Sequence, residues 1–182
     1  MRFVLTGGSG FVGNFLINKL CYLYPQIEIH NLDSNPRKPI YKIESGRQNL
    51  TNHLVDITNK DDLMKFKFDH DDVVFHLAAH IFHPQTPYRT KRKKYFEKLN
   101  VEGTKNILEE MNKNNVKRIA FLSTCMVYGT PQHKIIKTTH PLKANGPYGS
   151  SKIKAEKLIT DFGQVKQNKT LIYRPGLIAG SG

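Results

Sequence analysis

Three glycines at the very start of the chain constrain its fold more than any other feature. Thr6-Gly7-Gly8-Ser9-Gly10-Phe11-Val12-Gly13 follows a short apolar run, Arg2–Thr6, and precedes a stretch with helical spacing, Phe11–Leu23. The glycines stand at 7, 10 and 13, in the order G-x-x-G-x-x-G. A strand that turns tightly into a helix in this way leaves free N–H groups at the positive end of the helix. Glycines let an anion, above all a pyrophosphate, approach that backbone closely. Phe11 and Val12 are expected to pack under the sheet, and Gly13 to let helix and strand meet.

The rest of the chain alternates in the same sense. Ile27–Leu32, Leu50–Val55, Asp72–Leu77, Lys117–Ser123 and Thr170–Tyr173 read as strands, and DVVFHL at 72–77 is apolar enough for burial on both faces. Phe11–Leu23, a segment starting at Thr58–Asp62, Lys94–Asn114 and Tyr148–Val165 read as helices. Strands alternating with helices predict an α/β fold of the Rossmann-like, doubly wound type, a parallel sheet with helices on both faces. At 182 residues the chain suits one domain, 1–182, with no repeat or linker.

Charge narrows the partners less than it first suggests. Lysine plus arginine is 28 against 15 acidic residues, a net +13, which favours anions in general. Only seven of the 28 are arginine, the residue suited to bidentate recognition. The dense run Lys91-Arg92-Lys93-Lys94 reads as a solvated helix entry, and no nucleic-acid motif accompanies it, so nucleic acid is not an expected partner. No run of about 18 apolar residues exists to span a membrane. Two cysteines, Cys21 and Cys125, and a start without a long apolar stretch point to a reducing, cytoplasmic setting.

Chemistry is suggested at three further places. Asp33, 20 residues after Gly13, ends the second strand; a carboxylate there accepts ribose hydroxyls and repels a 2′-phosphate, which favours NAD, although Arg37 and Lys38 keep NADP open. Tyr148 and Lys152 lie four apart at the start of a helix and share a face that Ala155 and Ile159 continue into apolar packing. A lysine ammonium one turn away is expected to lower the phenol's pKa from about 10 and fit it for proton transfer to or from an alcohol. Ser123 and Thr124 follow a strand, where a hydroxyl points into the ligand crevice and can hold the substrate oxygen for Tyr148.

Taken together, these segments resemble an extended short-chain dehydrogenase/reductase of the NAD-dependent epimerase/dehydratase type. The resemblance runs through nearly the whole chain: the Thr6–Gly13 loop, Val55-Asp56-Ile57, His76-Leu77-Ala78-Ala79, Asn100-Val101-Glu102-Gly103-Thr104, Ser123-Thr124 with Val127-Tyr128-Gly129, Tyr148 with Lys152, and Arg174-Pro175. It implies a catalytic set of Thr124, Tyr148 and Lys152. It implies a cofactor site built from Gly7, Gly10, Phe11, Val12, Gly13, Asp33, Asp56, Ile57, Leu77, Ala78, Ala79, Asn100, Ser123, Tyr148, Lys152 and Pro175, with Asp56 at adenine and Pro175 over the nicotinamide. Asn100 also falls on the stripe Phe96, Asn100, Gly103, Ile107, Met111, where a polar residue needs a buried partner; by resemblance it supports the site from behind the sheet.

The resemblance further implies hydride transfer on an alcohol or ketone, most directly a nucleotide sugar. A 3β-hydroxysteroid dehydrogenase-like oxidoreductase and a non-catalytic, redox-sensing NAD(P)-binding module are the alternatives. It implies a homodimer through the two long helices, and a substrate lobe lying largely beyond Gly182. No metal is expected: His76, His80 and His83 have ligand-like spacing, but the first belongs to a strand end and Pro84 follows the third. Cys125 is expected to fill space, and Asp61-Asp62 and Asp71-Asp72 to serve as helix-start and strand-entry charges.

Overall fold

The computed structural model describes residues 1–36, 49–81, 86–131 and 135–180. Arg37, Lys38, His83 and the last two residues lie outside them. Among the described residues six parallel strands form one sheet: β1 (Phe3–Thr6), β2 (Ile29–Asp33), β3 (Leu50–Leu54), β4 (Val73–His76), β5 (Arg118–Leu122) and β6 (Lys169–Tyr173). Their order is β3-β2-β1-β4-β5-β6. The connections are α1 (Phe11–Leu23), α2 (Lys60–Met64), α3 (Arg89–Glu97), α4 (Thr104–Lys113) and α5 (Pro147–Gly163). From β1 the chain turns towards β2, and from β4 towards β5. The crevice outside the ends of β1 and β4, where Thr6 pairs with His76, is therefore the topological switch point.

Two cores sandwich the sheet. On one face Val4, Leu32, Val74, Ile119 and Phe121 meet Ile107 and Met111 of α4 and Ala155, Ile159 and Phe162 of α5. On the other, Phe3, Leu5 and Ile29 meet Ile17, Leu20 and Cys21 of α1. The helix layer on this second face does not extend to the last strand. Leu171 and Tyr173 share the face of Phe3 and Leu5 through the register Phe75–Ala120–Leu171, yet both are more than half exposed.

The boundaries differ from the pattern where the pattern is silent. α3 begins at Arg89 rather than Lys94, because its first residues carry no apolar period to mark a start. The basic run therefore lies within α3, with Lys91, Lys93 and Lys94 exposed. Between α3 and α4 the helix widens into a π-helical segment, Lys98–Gly103. Phe96, Asn100, Gly103, Ile107 and Met111 are all buried, as their spacing predicts. Phe11 does not pack under the sheet. α1 turns Gly13, Asn14, Ile17 and Leu20 inward and leaves Phe11 and Phe15 on the surface, in edge contact with each other. A buried stripe led by a glycine and an asparagine escapes a count of apolar residues.

Candidate active site

The glycine loop is shaped by backbone contact. Gly7 has φ +70, and a Cβ there would stand 2.6 Å from Ala78 Cα. A Cβ on Gly13 would stand 2.5 Å from Gly8 Cα, so α1 presses directly on the turn. Gly10 caps α1 without a side-chain bond, and no acidic residue occupies the first turn. The first amides of α1 thus meet no side-chain cap and no acidic residue of their own turn at the positive helix end. Alanine at a helical glycine ordinarily adds about 1 kcal/mol. Gly13→Ala is expected to reverse that sign and cost about 2 kcal/mol, because the methyl meets backbone that must shift. A urea midpoint equal to or above wild type would contradict this packing.

Two clefts meet at this loop and share Gly7, Gly10, Leu77 and Ala79. The first, about 400 Å³, is bounded by Asp33, Asp56, Ile57, Ala78 and His80. Asp33 accepts Ser9 N–H (3.1 Å) and Asn35 N–H (2.9 Å), which ties the end of β2 to the loop. Asp56 accepts Thr58 N–H at 2.8 Å. The second cleft, about 370 Å³, is bounded by Phe11, Val12, Gly13, Ser123, Thr124, Tyr148, Lys152 and Pro175. A trough in two chambers with an anion-binding helix end at the junction suits a dinucleotide, one nucleoside to each chamber.

Asn100 is the exception among the anticipated residues: it lines neither cleft. Its side chain accepts His80 N–H (2.7 Å) and donates to His80 O (3.1 Å) and to Ser151 Oγ (2.9 Å). It thus joins the β4 end to α5, and it reaches the clefts only through His80. Both nitrogens of His76 are likewise engaged. Thr104 Oγ1 donates to Asn100 O, so His76 Nε2 donates to Thr104 and its Nδ1 accepts from Thr6. Burial, and then the charge of Lys152, hold the His76 pKa down to about 3, so the ring is neutral. His80 stacks on Tyr95, with its Nδ1 on Tyr95 O. Among the described residues the one group of three or more His, Cys, Asp or Glu side chains close enough to share an ion is Asp69, His70 and Asp71, before the start of β4 and at the opposite end of the strands from the clefts.

Electrostatics at the second cleft are dominated by burial. Lys152 is 1 % exposed, and its Nζ lies over the Phe121 ring at 4.1 Å. Burial pulls its pKa down to about 7, against a smaller upward pull from Glu156. Tyr148 is half-buried, and burial holds its phenol above the usual tyrosine range while Thr124 draws it partly back. The lowering expected from Lys152 is not seen. The ammonium rests on Phe121, and no hydrogen bond among the described residues joins it to the phenol. Thr124 caps the turn Cys125–Tyr128 by accepting Met126 N–H (3.2 Å), while Ser123 is committed elsewhere: its hydroxyl donates to Glu156.

Glu156 is the residue that pattern reading overlooked. It is 2 % exposed and grips Arg174 through two bonds, Nε–Oε1 (2.9 Å) and Nη2–Oε2 (2.7 Å). The signal was present, since Glu156 continues the Tyr148, Lys152 stripe by one more turn.

The sheet order, the glycine-lined helix end and the paired clefts define an α/β protein of the doubly wound, dinucleotide-binding type, with Thr124, Tyr148 and Lys152 lining its second chamber. The sequence profile of the NAD-dependent epimerase/dehydratase family matches residues 3–182, and the chain belongs to that family. A UDP-glucose 4-epimerase of Dictyostelium discoideum is 30 % identical over 165 residues, 88 % of this chain and 47 % of its own length. A solved UDP-galactose 4-epimerase superposes with a TM-score of 0.79 at 28 % identity, covering 96 % of this chain and 55 % of that one. The dTDP-glucose 4,6-dehydratase of Streptomyces venezuelae, solved with NAD and TYD bound, gives 0.80 at 26 % identity over 96 % and 55 % of the two chains. The chain spans about half the length of the curated relatives it matches. No helix among the described residues is long and apolar enough to cross a membrane.

Proposed function

We propose that residues 1–182 form the NAD-binding half of a nucleotide-sugar epimerase or dehydratase, with Thr124, Tyr148 and Lys152 as its catalytic residues. The observation that carries this reading is the meeting of the two clefts at an uncapped helix end, with Tyr148, Thr124 and Lys152 together in one of them. The α1 amides would hold the pyrophosphate of NAD, Asp33 the adenosine ribose, and Asp56 and Ile57 would border the adenine. Leu77, Ala78, Ala79 and Pro175 shape the walls.

When bound, NAD supplies the acceptor for a hydride. The protein's own part is to move a proton. Thr124 positions the substrate hydroxyl, because Ser123 already donates to Glu156. Tyr148 takes the hydroxyl proton as the carbon is oxidised and returns it when the ketone is reduced. A protonated Lys152 stabilises the phenolate. A buried charge of this kind is costly to keep. It favours an enzyme over a module that only binds cofactor. The UDP-glucose and UDP-galactose 4-epimerases and the dTDP-glucose 4,6-dehydratase among its relatives support a nucleotide sugar as substrate. The surface shared by α3–α4 and α5, pinned by the Lys154–Glu97 ion pair, is the face we assign to a second copy of the chain, in the cytoplasm.

Titration of NADH, followed by its fluorescence, tests the reading. Binding is expected, with NADPH at least about tenfold weaker because the 2′-phosphate would stand against Asp33. Absence of NADH binding overturns the proposal; equal affinity for the two removes Asp33 from cofactor choice.

A further inference from the structure

We infer that Glu156 is a positioning residue: its carboxylate locks α5 to the ends of β5 and β6 and supplies the counter-charge that keeps Lys152 an ammonium. The inference rests on the catalytic reading of Lys152 and Tyr148 above. Three elements converge on this one side chain. Ser123, at the end of β5, donates to it and precedes Thr124. Arg174, at the end of β6, holds both its oxygens and precedes Pro175. Lys152 precedes it by one turn of α5. Arg174 also donates to the Tyr128 hydroxyl (2.9 Å) and to Thr138 O (3.1 Å), and its guanidinium lies over the Tyr128 ring. The turn carrying Cys125–Tyr128 is thereby tied in as well. Every wall of the second cleft except the glycine loop and the β4 end thus depends on one buried anion.

The charges around Lys152 make the electrostatic half specific. On its own helix stand Tyr148, whose phenol is held protonated by burial, and Glu156. From β4 comes His76, neutral; from β5 come Phe121, Ser123 and Thr124, uncharged; from the end of β6 comes Arg174, a cation. Among the described residues Glu156 is the one anion that acts on Lys152. It is shared with Arg174, so the share left for Lys152 is limited. An ordinary buried ion pair would need Ser123 and Arg174 only; the position one turn after the lysine is what links the pair to proton transfer.

The test reads Lys152 itself. Protein labelled with ¹³C at the lysine ε-carbons is titrated by NMR, with the Lys152 signal assigned by its loss in Lys152→Met. The wild-type midpoint is expected near neutrality. In Glu156→Gln it is expected to fall by about one pH unit or more, a tenfold loss of proton affinity, and the pH at which NADH affinity declines should fall with it. Arg174→Met removes the competing cation and is expected to move the midpoint upward. A purely structural Glu156 would give no such pair of opposite shifts. An unchanged midpoint in folded Glu156→Gln overturns the inference. If that variant does not fold, Arg174→Met decides, and a midpoint that stays or falls overturns it. Failure of wild type to bind NADH would overturn the function proposed above, while the midpoints still judge Glu156.

Discussion

Lys152→Met is expected to stabilise the protein by roughly 3 kcal/mol at pH 7. Methionine matches the length of the lysine stem and fills an irregular buried space well. No partner is stranded, since Glu156 keeps both bonds to Arg174 and the hydroxyl of Ser123. The sign follows from the lysine's titration. Its folded pKa, about 7, lies below the ordinary 10.5. The unfolded chain therefore binds the extra proton between those values, and wild-type stability rises with pH through that window. The burial penalty is full below pH 7 and gone above about 10.5. The displacement sets a ceiling of about 5 kcal/mol, which the Phe121 ring contact and relaxation reduce. Urea unfolding of the two proteins at pH 7 and pH 10 measures it: the gap should be wide at the first and nearly closed at the second. A methionine variant no more stable than wild type at pH 7 would show that Lys152 carries no burial penalty. On the proposed role of Lys152 in the cofactor cleft, NADH affinity is expected to drop about tenfold in the same variant. Stability and binding would then move in opposite directions, as expected where a strained charge is kept for function.

Much of this site could be read from the chain because its demands are local. The Gly7–Gly13 spacing encodes a backbone shape, and Tyr148 with Lys152 encodes a helix face; both need only neighbours in sequence. The α/β alternation is legible for the same reason, since each strand announces itself by its own apolar run. What stayed hidden depends on contacts between distant segments. Asn100 looks like one polar residue on an apolar stripe. Only the fold shows that it stands behind the clefts and ties His80 to Ser151. The π-helical segment that carries it leaves no mark, since spacings of three and four suit an α-helix equally well. Phe11 looks like a core residue until the close approach of Gly13 to Gly8 fixes which side of α1 faces the sheet. Glu156 resembles any surface glutamate until Arg174, 18 positions on, is brought beneath it by β6. The Tyr148 pKa is the clearest case. Proximity of a lysine in sequence suggests a lowered value. Depth of burial, which sequence spacing does not encode, decides the opposite for the protein on its own.

That raised phenol leads to the second large effect. Tyr148→Phe is expected to cut turnover of a nucleotide sugar about 10³-fold while NADH affinity stays within about threefold of wild type. The phenol packs against Phe96 with ring centroids 5.6 Å apart, so phenylalanine retains the packing and removes only the hydroxyl. Thr124 is left in place with its cap to Met126 intact, and the cleft keeps its shape. What disappears is the group proposed to exchange a proton with the substrate oxygen. Because burial holds the phenol above its ordinary value, the phenolate needed for oxidation is scarce at neutral pH. Wild-type oxidation should therefore quicken as pH rises until Lys152, with its pKa near 7, loses the charge that stabilises the phenolate, with residual activity in Tyr148→Phe showing no such rise. Steady-state rates from pH 6 to 10, set beside NADH titrations of both proteins, separate the outcomes. A parallel loss of cofactor affinity would make Tyr148 a binding residue. Retained turnover would pass the proton to another group, and Thr124, whose hydroxyl faces the same cleft, would be the first to examine.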